Sequence, residues 1–263
     1  MTTVADILEY LETLAPSYMR QEWDRVGLNC GHSDKEVRRI LVALDPFENV
    51  CKEAKELGAD LLVTHHALLW TPGFITDRDE QGRNALFLIE NNIACINAHT
   101  NLDQAPGGVN DVLAERLGLQ DIRVIDPQGI DNNGNEWGLL RYGKVAKQTL
   151  EQFMTIVKIS LGCEGLRYVD SGKPVRNVAV GGGACAGEMS DAVRAGCDTF
   201  VTSDVKYNQF WEAKAMGLNL IDAGHFHTEN PVCRYLVQKL REAFPQITVT
   251  AATNHTDCAK FFR

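Results

Sequence analysis

The sequence predicts an α/β protein of two pseudo-equivalent β-α-β-α-β halves with mainly parallel sheets and a metal cleft between them. Short apolar runs follow helix-like stretches, as in Ala59-Asp60-Leu61-Leu62-Val63-Thr64 behind residues 48–57 and Gly58, which is how buried parallel strands read. The pattern also recurs at fixed spacing. Residues 39–44 resemble 177–182 and residues 58–64 resemble 196–202, one offset of 138 linking Ile40 to Val178, Gly58 to Gly196 and Asp60 to Asp198. After a gap, 93–100 resemble 218–225. Units of this kind call for parallel strands and right-handed crossovers. The expected halves are 1–125 and 126–263.

Along the chain, residues 1–14 read as an amphipathic helix carrying Asp6, Glu9 and Glu12, with no signal-peptide character. Between the halves, Asp131-Asn132-Asn133-Gly134-Asn135 is a turn-rich loop, and 137–145 a strand. Thr149-Leu150-Glu151-Gln152 is a capping box opening a helix that Gly162 stops. Residues 165–170 read as a strand, Asn230-Pro231 as the start of a helix to about Phe244, and 247–253 as a last strand.

The 263 residues are 44% hydrophobic and 23% charged, ordinary globular composition. A net charge of -9 gives no strong nucleic-acid affinity, because such binding rests on neutralising many phosphates. A single nucleotide held by a metal remains compatible. No apolar stretch approaches a membrane span. Eight cysteines form no Cys-x-x-Cys pair, which argues against a zinc ribbon or a thioredoxin-type site and fits a cytoplasmic location.

The chemistry concentrates at strand ends. His65 and His66 follow one apolar run; Ala94-Cys95-Ile96-Asn97-Ala98 exits into His99 and Asp103; 218–223 exits into His225, His227 and Glu229. All three clusters fall at C-terminal ends of predicted parallel strands, the edge where open α/β sheets bind ligands. Adjacent strand side chains point to opposite faces, so His65 and His66 are better served by two ions than one. Mixed nitrogen and oxygen donors suit Zn, Fe, Mn, Ni or Co rather than Ca or Mg. Each residue has an ordinary structural reading too. His99 and His227 alone would be hydrogen-bonded structural histidines, Asp103 a turn residue, and Glu229 a complement to a helix N-terminus. His99 is also readable as the orienting partner of a ligand. His32 and His255 read as surface residues. In the repeat, His65 and His66 fall opposite Ser203 and Asp204.

The run 181–187, Gly-Gly-Gly-Ala-Cys-Ala-Gly, satisfies the dinucleotide pattern Gly-x-Gly-x-x-Ala but lacks a clear acidic residue at ribose distance. A tight turn with close packing is the favoured reading; a phosphate at the following helix N-terminus is the alternative.

The segments Thr64-His65-His66, residues 98–103, and Asp222-Ala223-Gly224-His225 with Glu229 resemble the YbgI family of NIF-three-like proteins, labelled GTP cyclohydrolase 1 type 2 homologs; the likeness includes Trp23-Asp24-Arg25-Val26-Gly27-Leu28. It implies two divalent ions per subunit held by His65, His66, Asp103, His225 and Glu229, the last as bridge, and a toroidal homohexamer. The label points to a hydrolase acting on purine nucleotides or related heterocycles, and metal-assisted hydrolysis would use His99 or His227 to move the proton. The alternative expectation is a metal-delivery or interaction protein without turnover, and a third is a nucleotide binder at the 181–187 loop with structural histidines.

Overall fold

The computed structural model describes residues 1–70 and 73–262. The chain forms two compact units, one of Met1–Leu102 with Cys233–Thr256 and the other of Asp103–Val232 with Asp257–Arg263. Both are mixed α/β.

The first unit holds a five-stranded sheet in the order Gly27–Cys30, Ala94–Asn97, Leu61–Thr64, Arg39–Ala43, Thr248–Ala251. Its pairs are parallel except the Gly27–Cys30 edge. The last strand, expected with the second half, belongs here because it pairs in parallel with Arg39–Ala43. The helices Glu48–Glu56 and Glu80–Glu90 cover one face, burying Val50, Ala54, Ala85 and Leu88 against Leu41, Leu62 and Cys95.

The second unit holds six strands in the order Gln120–Ile125, Leu140–Gln148, Val175–Val180, Thr199–Thr202, Asn219–Asp222, Arg167–Val169. Its central pairs are parallel and its flanking pairs antiparallel. Val178, Val180 and Val201 pack on Leu113, Phe153 and Val157, while Ala179, Phe200 and Leu220 pack on Met189, Ala192 and Leu218. Both faces are thus covered, which explains why these strands are apolar throughout.

The repeat seen in the sequence is a repeat of contacts. Ile40 pairs with Leu61 in one sheet and Val178 with Thr199 in the other, both partners 138 residues on. Asp60 Oδ2 accepts the N–H groups of Arg38 and Arg39 at 2.8 and 3.0 Å; Asp198 Oδ2 accepts those of Arg176 and Asn177 at 3.0 and 2.8 Å. Gly58 and Gly196 end the preceding helices at φ 63° and 78°, a backbone region that glycine enters without a Cβ clash. The repeated Gly-x-Asp therefore stops a helix and anchors the start of the neighbouring strand. Each unit also closes this block with an antiparallel edge, Gly27–Cys30 or Arg167–Val169.

Other expectations are met locally. The helix Val4–Leu14 carries a capping box, as does Leu150–Leu161, which ends at Gly162 with φ 72°. The strand read over 137–145 is two pieces, Glu136–Trp137 and Leu140–Gln148. No helix among the described residues is long and apolar enough to cross a membrane.

Candidate metal centre

In the first unit three imidazoles converge. One ring nitrogen from each of His65, His66 and His99 lies within 4.8 Å of the others. His65 and His66 do not diverge to opposite faces as strand alternation predicts; their ring centroids are 4.8 Å apart. The strand ends at Thr64, so the alternation ends there as well. Two of the rings are hydrogen-bonded through Nδ1, and the third is contacted there by a carboxylate. His65 Nδ1 lies 2.9 Å from the Ala98 carbonyl, His66 Nδ1 is 2.6 Å from Asp45 Oδ1, and His99 Nδ1 is 3.0 Å from Asp24 Oδ2. Fixing Nδ1 by a carbonyl or carboxylate orients Nε2 for a metal and raises its basicity.

Asp45 and Asp24 were not singled out in the sequence. Asp45 follows the strand Arg39–Ala43 and binds a second histidine, His255, with Oδ2 2.8 Å from Nε2. His255, expected at the surface, is nearly buried. Glu53 explains this: its carboxylate accepts the N–H groups of Thr253 and Asn254 and draws the segment inward. Burial opposes ionisation of Asp45, yet hydrogen bonds with His255 and His66 hold it well below the usual carboxylate range. Asp24 behaves alike: despite burial, His99 and Thr100 lower it to about 2. Two ionised carboxylates, Asp24 buried and Asp45 half-buried, thus back imidazoles.

The second unit supplies a mixed set. Asp103 and Glu229 are buried, with carboxylate oxygens within 4.8 Å of one another. His225 Nε2 is 2.9 Å from Glu229 Oε2, one helical turn on, and its Nδ1 is 2.7 Å from Asp204 Oδ2. Two carboxylates so close repel by about 3–4 kcal/mol at an effective dielectric of 20, a cost that a divalent ion between them reverses. The short helix His225–Glu229 puts ligand-type residues at both its ends.

The glycine run is a bed for Glu229. A Cβ on Gly183 would strike the Glu229 carboxylate, and one on Gly182 would lie 3.3 Å from Glu229 Cγ. Its N–H groups are occupied, Gly182 donating to Asn110 Oδ1 at 2.7 Å and Gly183 to Thr228 Oγ1 at 3.0 Å. Close packing, rather than phosphate capture, is its role. Asn110 also donates to the Asp103 carbonyl at 3.1 Å, tying the backbone of one acidic residue to the loop beneath the other.

His227 stands apart. Its Nδ1 lies 3.3 Å from the Leu161 carbonyl and its Nε2 3.4 Å from Asp257 Oδ2. His32 is exposed. Cys185, beside the glycines, is a half-buried thiol pushed far above its ordinary pKa by desolvation and the nearby Asp103 and Glu229.

The donors fit a borderline transition metal in both units: imidazoles with an oxygen partner at Nδ1, and carboxylates close enough to share a cation. These groups can bind a metal.

Residues 2–258 match the Duf34/NIF3 (NGG1p interacting factor 3) family. A "GTP cyclohydrolase 1 type 2 homolog" of Clostridium perfringens is 38% identical over 240 residues, covering 90% of either chain. The solved Bacillus cereus protein related to NIF3 superposes with a TM-score of 0.93 at 27% identity, over 100% of this chain and 99% of that one. Staphylococcus aureus protein SA1388 gives 0.90 at 28% identity over 99% of both. With a family match along almost its entire length, the chain belongs to the Duf34/NIF3 family.

Proposed function

We propose that the protein is a dinuclear-metal-dependent hydrolase acting on a purine nucleotide or related heterocycle. His65, His66, Asp103, His225 and Glu229 are the residues that would hold the two divalent ions. The observation that carries this is the set of carboxylate and carbonyl partners on the ligand imidazoles: Asp45 on His66, Ala98 on His65 and Asp204 on His225. Partners of this kind orient a ligand imidazole and raise its basicity. The ions, when bound, would supply an activated water and polarise the bond it attacks.

The chain's own groups do the rest. Asp45 and Asp204 hold His66 and His225 in the tautomer that presents Nε2. His99 lies with His65 and His66 but outside the five-ligand set, and its contact with Asp24 equips it to move a proton. That role falls to His99 rather than His227, which is engaged by Leu161 and Asp257. The heterocyclic substrate follows the name carried by the Clostridium perfringens relative, and a homohexamer in the cytoplasm is proposed from the family likeness.

The test is metal analysis of untagged protein with turnover of a nucleotide panel by the Mn, Zn and Fe forms. Two ions per chain are expected, with loss of at least one in His65→Ala and in Glu229→Ala. Metal content unchanged in both variants, or inertness of every metal form, would sink the proposal.

A further inference from the structure

A pocket of about 370 Å³ opens beside His66 in the first unit. Phe47 and Trp70 line it, and each leaves about two fifths or more of its surface exposed, at 46% and 40%. Large exposed rings near a polar cluster are costly in water and suit stacking against a flat partner. The Trp70 ring centroid is 6.1 Å from that of His66 and 4.9 Å from that of His99, so the indole borders the histidine cluster.

The polar lining has one sign. Asp79 and Glu80 stand at the rim, and no Lys or Arg is among the described lining residues. The floor carries Asn84, 4% exposed. Its Nδ2 donates to the Pro46 carbonyl at 3.0 Å, and its Oδ1 takes no hydrogen bond among the described residues. An acceptor held rigidly in a buried position favours an N–H donor, since leaving it unmatched against a bound ring costs its desolvation. A phosphate would meet the carboxylates of Asp79 and Glu80 there, with no Lys or Arg among the described lining residues to offset them.

We propose that the pocket formed by Phe47, Trp70 and Asn84 beside His66 is a recognition subsite for a flat, neutral or cationic heterocycle bearing an amino group, and that it rejects phosphate. This rests on the metal-site reading for its purpose, and deepens it: the ring is held against the His66 side, leaving anionic parts of the substrate to be bound elsewhere. Stacking between the two side chains supplies affinity, and Asn84 Oδ1 with Glu80 selects the amino hydrogens.

The experiment is titration of the metal-loaded full chain with 2-aminopurine, followed by its fluorescence and by calorimetry, against purine and inorganic phosphate. Binding with quenched fluorescence is expected, at least tenfold tighter than purine and not displaced by phosphate. Trp70→Leu and Phe47→Leu should each weaken it at least fivefold with metal content unchanged, and Asn84→Leu should erase the preference over purine. Absence of binding, equal affinity for purine, or displacement by phosphate would overturn the subsite. Should Asn84→Leu fail to fold, the two partly exposed ring variants still decide. Turnover is not read, so inertness with intact binding removes only the reaction, whereas turnover without 2-aminopurine binding removes only the subsite.

Discussion

Gly183 lies directly beneath Glu229, so that any side chain at 183 would occupy the space of the carboxylate. With φ at +64°, the position also lies in the left-handed region. Both facts select glycine. Gly183→Ala should therefore cost about 1–3 kcal/mol from the backbone alone, and displace Glu229 as well. We expect loss of one bound ion, seen by metal analysis, with the fold retained by circular dichroism. Gly187→Ala, where a Cβ meets nothing within 4 Å, is the control and should keep both ions. Full metal content in Gly183→Ala would show that Glu229 is not a ligand.

Asp45 serves two histidines at once, His66 and His255. Removing the support behind a ligand imidazole commonly lowers metal affinity 10–100-fold. Asp45→Asn is expected to fall in that range, and His255→Ala to show a smaller loss, since it frees Asp45 to shift without removing its charge. Competition with a fluorescent chelator measures both. An equal or larger loss in His255→Ala would mean that the C-terminal segment itself carries the effect.

Acid stability follows from Asp24. Its pKa is lowered from 3.8 to about 2 in the folded chain, so the folded state binds fewer protons than the unfolded one across that interval. The resulting stabilisation, about 2 kcal/mol, is complete above pH 4 and disappears as pH falls from 4 through 2. Urea unfolding midpoints should drop over that window in the wild-type chain and drop less in Asp24→Asn. Parallel pH profiles would contradict the assignment.

Cys185 sits against the acidic residues of the second unit with its thiol pushed far up by burial and by Asp103 and Glu229. It should react slowly with iodoacetamide at pH 7.5, and Cys185→Ala should retain both ions. Metal loss in that variant would replace the nitrogen and oxygen donor set with one including sulfur.

Metal lability separates catalysis from delivery. On the proposed reading, two ions held by five side chains, the three imidazoles each backed at Nδ1, should leave slowly, over hours in excess chelator, with the chain still folded. Exchange within seconds would favour the metal-delivery alternative.

The parallel strands of both sheets were legible in the sequence because they are buried on two faces and their Gly-x-Asp turns recur at one spacing; Asp60 and Asp198 make the same bonds. The ligand-type residues were legible too, since imidazoles and carboxylates at strand ends stand out against apolar runs. What the sequence could not reveal was the support behind them. Asp45, Asp24 and Asp204 look like ordinary loop acids until neighbouring strands bring them within 3 Å of His66, His99 and His225. The pseudo-repeat even exchanges roles: Asp204, the counterpart of His66, is a support rather than a ligand candidate. His255 read as a surface residue because its neighbours are polar, whereas Glu53 pulls its segment inward from 200 residues away. Local pattern determines which backbone forms strand or helix, through burial periodicity and turn chemistry. Which polar groups meet is decided by strand order and register, and those depend on the packing of residues far apart in the chain.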